Sequence, residues 1–359
     1  MDSGLSTRLF EPPESKEMSI VCLPSRIRGS LFGLAICDAL GGPVEFKARG
    51  TFPLITDLEP NDNFSLPAGC FTDDTSMALC LAQSLIDCHG FNADDQVRKY
   101  IAWSHEGYMS SMPELGCFDI GIGTRAVLKA WNAHFQENGY GKAGSEDAGA
   151  VTGAGQKMID DLFRRESYCG NGSLMRVVPI ALSFHSAPLG KLVEFARQSS
   201  KLTHPHPRCQ EACAIYTRLA VLALQGSDKR ALAEVIATIS IQDEQLRQRL
   251  DGYKSQDSWM QQTEGDIRSN GYVIDTLEAA LWAFFTTATF EEGAIRAVNL
   301  GHDADTVGAV YGGLSGAYYG FDAIPTRWME AMRNKDLLQR VSEGLVGLKG
   351  NAGRLAQIG

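Results

Sequence analysis

A chain of 359 residues, 44% hydrophobic and 21% charged, is long enough to bury a sizeable core and has the make-up of a globular protein rather than a fibrous or disordered one. Its 33 basic and 43 acidic residues leave a formal charge of −10, which argues against attachment through a basic surface to nucleic acid or an anionic membrane. No apolar run reaches the roughly 18 residues of a membrane span; the nine cysteines, odd in number and without a CxxC pair, read as reduced core residues of a cytoplasmic protein, not as a disulfide frame or zinc site.

The opening MDSGLSTRLFEPPESKEMS is polar and lacks the basic end and apolar stretch of a signal peptide, so residues 1–20 are expected to be a flexible tail and 21–359 a single domain. RIRGSLFGLAICDAL, at 26–40, reads as a helix ended by Gly41, Gly42 and Pro43, with Gly29, Gly33 and Cys37 at four-residue spacing. A second helix follows TDDT at 72–75, carrying Met77, Leu81 and Leu85 on one stripe. Further helical periodicity covers 94–103, 124–134, 176–183, 192–202, 209–225, 228–241, 275–287, 290–300, 306–319 and 325–344. The stretches 138–156 and 251–270, rich in Gly and polar residues, read as loops. No regular alternation marks strands, and the fold is expected to be all-α. After DADT at 303–306 come Gly308, Gly312, Gly316 and Gly320. Each interior glycine costs about 1 kcal/mol relative to alanine, and close backbone packing, against the Gly29, Gly33 and Cys37 stripe, is the expected compensation.

Read singly, TDDT and DADT are helix caps, since Asp and Thr favour helix starts. Together they point to two helix starts deep in the fold. If they meet, carboxylates about 4 Å apart repel by roughly 4 kcal/mol at an effective dielectric near 20, and two divalent cations would neutralise the four acids. Carboxylate and hydroxyl donors without cysteine favour magnesium, manganese or calcium over zinc. An EF-hand is excluded, because Leu314 stands where its bidentate Glu is needed. Glu45 is a fifth carboxylate that, alone, reads as a surface residue. Gly170, Asn171, Gly172 and Ser173 precede an apolar helix, either as a plain turn or as a cradle of backbone N–H groups for a diphosphate. His204 and His206, separated by Pro205, read as a loop or substrate contact rather than a metal pair. Tyr168 and Tyr272 either stack on a purine or simply pack. Asp119, in CFDIGIGTR, reads as a turn residue.

Taken in order, RGSLFGLAICDALGGPVEF, FTDDTSMALCLAQSL, FDIGIGTRAVL, GNGSLMRVVPIAL, the LTH of 202–204, GHDADTVGAVYGGLSGAYYG and IPTRW resemble the ADP-ribosylglycohydrolase family over roughly residues 26–328. The resemblance implies an all-α orthogonal helical bundle with a dimetal cleft holding two divalent cations, Mg2+ or Mn2+. Its motifs make Thr72, Asp73, Asp74, Asp303, Asp305 and Thr306 metal ligands and Glu45 a carboxylate beside them. The turn formed by Gly170, Asn171, Gly172, Ser173 and Met175 would hold the diphosphate, Tyr272 would neighbour the adenine, and Asp119 would face the guanidinium of a modified arginine. His302 stands where many relatives carry a smaller or amide residue.

The implied activity is hydrolysis at ribose C1, releasing mono-ADP-ribose from a modified protein side chain, arginine favoured. The partner is then an ADP-ribosylated protein and the product ADP-ribose; nucleic acid enters only as an ADP-ribosylated substrate, and a monomer is expected. Asp73, Asp74 and Glu45 are the catalytic candidates, with Asp74 preferred as general acid or base. Two rival readings remain. DADTV at 303–307 fits the DxDx[TV] pattern of haloacid-dehalogenase-like phosphohydrolases, although there it follows a buried strand near the domain start. A catalytically weak ADP-ribose-binding module is the other, against which both clusters are complete in acids and hydroxyls.

Overall fold

A computed structural model describes residues 21–138 and 148–348. Among them are sixteen α-helices and no β-strand: α1 (Leu23–Gly41), α2 (Asp73–Asp87), α3 (Ala93–Glu106), α4 (Ile122–Asn138), α5 (Ala148–Phe163), α6 (Val178–Phe184), α7 (Leu189–Lys201), α8 (Pro207–Leu224), α9 (Lys229–Thr238), α10 (Glu244–Leu250), α11 (Gln256–Met260), α12 (Val273–Phe285), α13 (Phe290–Val298), α14 (Ala304–Tyr319), α15 (Thr326–Ala331) and α16 (Lys335–Gly347). None of the described helices is long and apolar enough to cross a membrane.

The helix starts follow capping chemistry. Asn92, Asp228, Asp243 and Thr289 each accept a backbone N–H three residues on, satisfying a donor that the first turn leaves free. At the centre lie α1 and α14, packed along their length. Their approach is too close for side chains. A Cβ on Gly33 would stand 2.5 Å from the carbonyl oxygen of Gly312, and one on Gly29 would stand 2.7 Å from that of Gly316. The expected glycine stripes therefore face each other, and the close packing offsets their unfavourable helix propensity. Around this pair pack α8, α12 and α13, with α12 buried on every side.

Three stretches depart from the sequence reading. Residues 139–147 of the 138–156 loop lie outside the described residues, as does the 1–20 tail, but Ala148–Phe163 is a helix. Its buried face, Thr152, Gly155, Ile159 and Phe163, contains a glycine pressed against Trp131, so no large apolar stripe announces it. The polar stretch 251–270 contains α11, which buries Trp259 in a stack on Tyr253 at 3.6 Å. The helix expected over 325–344 is two, broken where Asn334 adopts φ 52° and donates its side-chain amide to the Ser110 carbonyl.

Candidate metal centre and substrate cleft

The last turns of α1, the first turn of α2 and the first turn of α14 converge. A Cβ on Gly41 would lie 2.5 Å from the backbone of Ala304 and Asp305, so the bare glycine lets the end of α1 meet the start of α14. Two groups of acids result. Oxygens of Asp38, Asp74 and Asp305 lie within 4.8 Å of one another, and so do oxygens of Glu45, Asp303 and Asp305. Asp305 belongs to both. The two sequence clusters do meet: the Thr72 hydroxyl stands 3.3 Å from Asp74 Oδ2 and 3.5 Å from Asp305 Oδ2.

Asp38 is the residue that sequence reasoning missed. It sits inside the apolar run LAICDAL, fully buried, and accepts five hydrogen bonds from the amides and hydroxyls of Thr72 and Thr75. A lone carboxylate in an otherwise apolar helix is the signal that could have found it, because such a charge is buried only with partners.

Electrostatics in the cluster is unfavourable without a counter-charge. Burial pushes the carboxyls of Asp73, Asp74 and Asp305 well above the usual range; for Asp73 and Asp74 the next largest causes are Asp119 and Asp38 respectively, and for Asp305 Glu45. Burial, then Asp119, Asp303 and Asp74, raises Glu45 as well, and Asp119 rises to about 7 through burial and then Asp38. Asp74 Oδ1, Glu45 Oε2 and Asp119 Oδ2 are buried without a hydrogen-bond partner. Orphaned hard oxygens in a nest of acids fit a metal site for cations such as magnesium or manganese. The Thr72 hydroxyl donates to Asp38 at 2.8 Å, the shortest of its contacts with the three carboxylates Asp38, Asp74 and Asp305.

Above the acids opens a cleft of about 910 Å³, in the size range of small-molecule sites. Glu45, Asp73, Asp119, Asp303, Asp305 and Thr306 line it, as do Tyr168, Gly170, Asn171, Gly172, Met175 and His204. Asp74 is enclosed beneath them. The GNG turn is not at a helix start, because α6 begins only at Val178. It is tied instead to the second acidic cluster: the Asn171 side-chain amide donates to Asp303 at 2.8 Å, and the Asn171 N–H donates to the Gly271 carbonyl. Ser173 turns inward, its hydroxyl accepting from Ser200 at 2.9 Å. Tyr272 points toward Arg208, from which its hydroxyl accepts at 2.8 Å, and its neighbours Asn270 and Gly271 face the cleft.

His204 is buried beside the GNG turn, with Nδ1 2.8 Å from the Thr203 hydroxyl, and burial, helped by Arg176, lowers its pKa to about 3. His206 caps α8, accepting from the Arg208 amide. The two histidines thus serve different ends. Three cleft residues, Phe46, Asp119 and His302, take left-handed φ values of 63°, 55° and 59°, a region that Asp and His tolerate and a bulky Phe rarely adopts. Phe46 N–H donates to the His302 carbonyl at 2.6 Å and His302 N–H to the Lys47 carbonyl at 2.7 Å, which fixes Glu45 beside Asp303. A turn, not a buried strand, leads into Asp303, so the DADTV segment lacks the setting of a haloacid-dehalogenase-like motif.

Comparison with known proteins agrees with this geometry. The profile of the ADP-ribosylglycohydrolase family matches residues 22–354. The chain is 34% identical to the ADP-ribosylarginine hydrolase Tri1 of Pseudomonas putida over 89% of its own length and 77% of that relative. It is 28% identical to the ADP-ribosyl-[dinitrogen reductase] glycohydrolase of Rhodospirillum rubrum, covering 90% of this chain and 97% of the other. A solved structure described as an ADP-ribosylglycohydrolase-related protein complex superposes with a TM-score of 0.71 at 34% identity, covering 91% of this chain and 98% of that one. The chain belongs to the ADP-ribosylglycohydrolase family.

Proposed function

We propose that this protein is a metal-dependent ADP-ribosylarginine hydrolase that cleaves the N-glycosidic bond between ribose C1 and the guanidinium of a modified protein. The observation that carries the reading is the set of buried, unpartnered carboxylate oxygens of Asp74, Glu45 and Asp119 at the floor and wall of one cleft. The names of the Pseudomonas putida and Rhodospirillum rubrum relatives support it. Nine free cysteines support a reducing, cytoplasmic setting.

In this reading Thr72, Asp73, Asp74, Asp303, Asp305 and Thr306 hold two divalent cations, Mg2+ or Mn2+, and Asp38 orients Thr72. When bound, such cations fix ribose hydroxyls and lower the pKa of a nearby water. Asp119, which lines the cleft, accepts guanidinium N–H groups. The amides of Gly172 and Ser173, which have no acceptor among the described residues, meet the diphosphate. His204, kept neutral, packs behind that turn, and Tyr168 offers a ring to the adenine. Bond breaking at C1 builds oxocarbenium character and leaves a proton to be moved between water and leaving group. Glu45, which lines the cleft, moves it; Asp74, enclosed below, is suited to holding a cation.

The test is the release of free ADP-ribose from arginine-linked, serine-linked and nucleic-acid-linked substrates presented side by side with magnesium. Release from the arginine linkage at least about a hundredfold faster than from the others, a discrimination worth near 2.7 kcal/mol, supports the reading. Equal or preferred release from serine overturns the acceptor assignment, and tight binding of ADP-ribose without release makes the protein a binding module.

A further inference from the structure

Two large apolar side chains stand open to solvent at the mouth of the acidic cleft. Phe46 is 68% exposed and Ile122 91% exposed, and both line the opening. The Phe46 ring meets Phe64 at 6.5 Å between centroids, and Phe64 meets Phe118 at 6.1 Å. Phe46 follows Glu45 in the chain and Phe118 precedes Asp119, so the rings form a collar from one free carboxylate to the other. Singly exposed apolar residues are ordinary, but a contiguous set around a polar cleft marks a contact surface.

The backbone strengthens this. Phe46 adopts a left-handed φ that a bulky side chain disfavours, and its conformation is held by its hydrogen bond to His302. Strain of this kind persists where the fold over-determines it and clusters at functional sites. The fold holds an aromatic ring out in solvent beside two carboxylates.

The collar lies outside the acid cluster, on the side from which an acceptor must enter. Its chemistry, aromatic rings and an exposed aliphatic side chain outside the carboxylates assigned to the guanidinium, suits the apolar residues that flank a modified arginine in a protein. A second copy of this chain is a poor occupant, because each carries a charge of −10 and would bring its own acidic cleft. We propose that Phe46, Phe64, Phe118 and Ile122 form the docking surface for the segment of a folded protein that carries the modified arginine. This rests on the arginine-linked reading of the cleft, and it makes the acceptor's surroundings, not only its linkage, part of what the enzyme recognises.

The test compares Phe64→Ser and Ile122→Ser with wild type on two substrates, an arginine-ADP-ribosylated protein and free ADP-ribosyl-arginine. The expected result is a KM for the protein raised about tenfold or more, as for loss of an interface anchor, with kcat/KM for the free compound within about twofold of wild type. Equal losses on both substrates, or no loss on the protein, overturn the docking surface. A concentration-dependent dimer of the wild type that Ile122→Ser dissolves assigns the collar to a second copy and also overturns it. If the wild type hydrolyses neither substrate, the arginine reading has failed and the docking surface falls with it. Hydrolysis of both without selective loss in the variants removes the docking surface alone.

Discussion

Asp38, near the end of α1, accepts both the amide and the hydroxyl of Thr75, at 3.1 and 2.5 Å, from the first turn of α2. One carboxylate thereby caps the helix that carries Asp73 and Asp74, and through Thr72 it orients a hydroxyl beside Asp74 and Asp305. Asp38→Asn keeps the shape but replaces an acceptor with a donor facing other donors. The expected loss is about 1–3 kcal/mol of stability, the cost of unmatched buried polar groups, and about ten- to a hundredfold in Mn2+ affinity, as for loss of a ligand-orienting partner. Denaturant unfolding and Mn2+ titration measure both; unchanged cation affinity would remove Asp38 from the site.

Gly33→Ala tests the seam between α1 and α14. The new Cβ would meet the Gly312 carbonyl at 2.5 Å, and a backbone atom cannot rotate away. Destabilisation of about 3 kcal/mol or more is expected, at the upper end for overpacking. Because α14 begins with Ala304 and Asp305, any shift that relieves the clash also displaces the acids, so cation binding should weaken in the same variant. Wild-type stability would show that the helices separate more easily than their packing implies.

Asp74→Asn and Asp119→Asn are expected to fail differently. Loss of Asp74 removes a buried oxygen from the acid cluster and should abolish turnover by disrupting the cation site while ADP-ribose still binds. Loss of the Asp119 charge should lower kcat/KM for the arginine-linked substrate by about ten- to a hundredfold, the worth of a charge-assisted hydrogen bond, with affinity for free ADP-ribose preserved. Steady-state kinetics with calorimetric titration of ADP-ribose separates the two; near-normal turnover in Asp74→Asn would exclude it from the site.

His204 gives a pH dependence. Burial lowers its folded-state pKa from 6.5 to about 3, so the unfolded chain takes up this proton first as pH falls. Its contribution to stability is complete above about pH 6.5 and is lost toward pH 3, with a slope near 1.4 kcal/mol per pH unit. His204→Asn should therefore flatten the decline in unfolding free energy between pH 6 and 4. Parallel curves for variant and wild type would contradict a buried neutral imidazole.

Much of the site is legible in the sequence because its signals are local. The TDDT and DADT clusters, the GNG turn and the glycine stripe after Asp305 each occupy a few consecutive turns, and the structure joins the two clusters as their chemistry requires. Asp38 is not legible in that way, since its partners Thr72 and Thr75 lie far along the chain and its neighbours are apolar. Nor is α5, whose contact with Trp131 depends on a side chain Gly155 does not have, or the inward turn of Ser173, which looks equivalent to Gly170 and Gly172 until Ser200 is seen behind it. Tyr272 reads as a ring that either stacks on a purine or packs, yet its hydroxyl is claimed by Arg208 and Gln245. In each case a tertiary contact overrides the local pattern.

The acids of α1, α2 and α14 are proposed to hold divalent cations over an arginine-linked ADP-ribose. The most direct measurement is the initial rate of ADP-ribose release from an arginine-ADP-ribosylated protein by chelator-stripped enzyme, before and after Mg2+ or Mn2+ is restored. No detectable release without cation and recovery on its return is the predicted result. Release at the same rate in the stripped enzyme would contradict it.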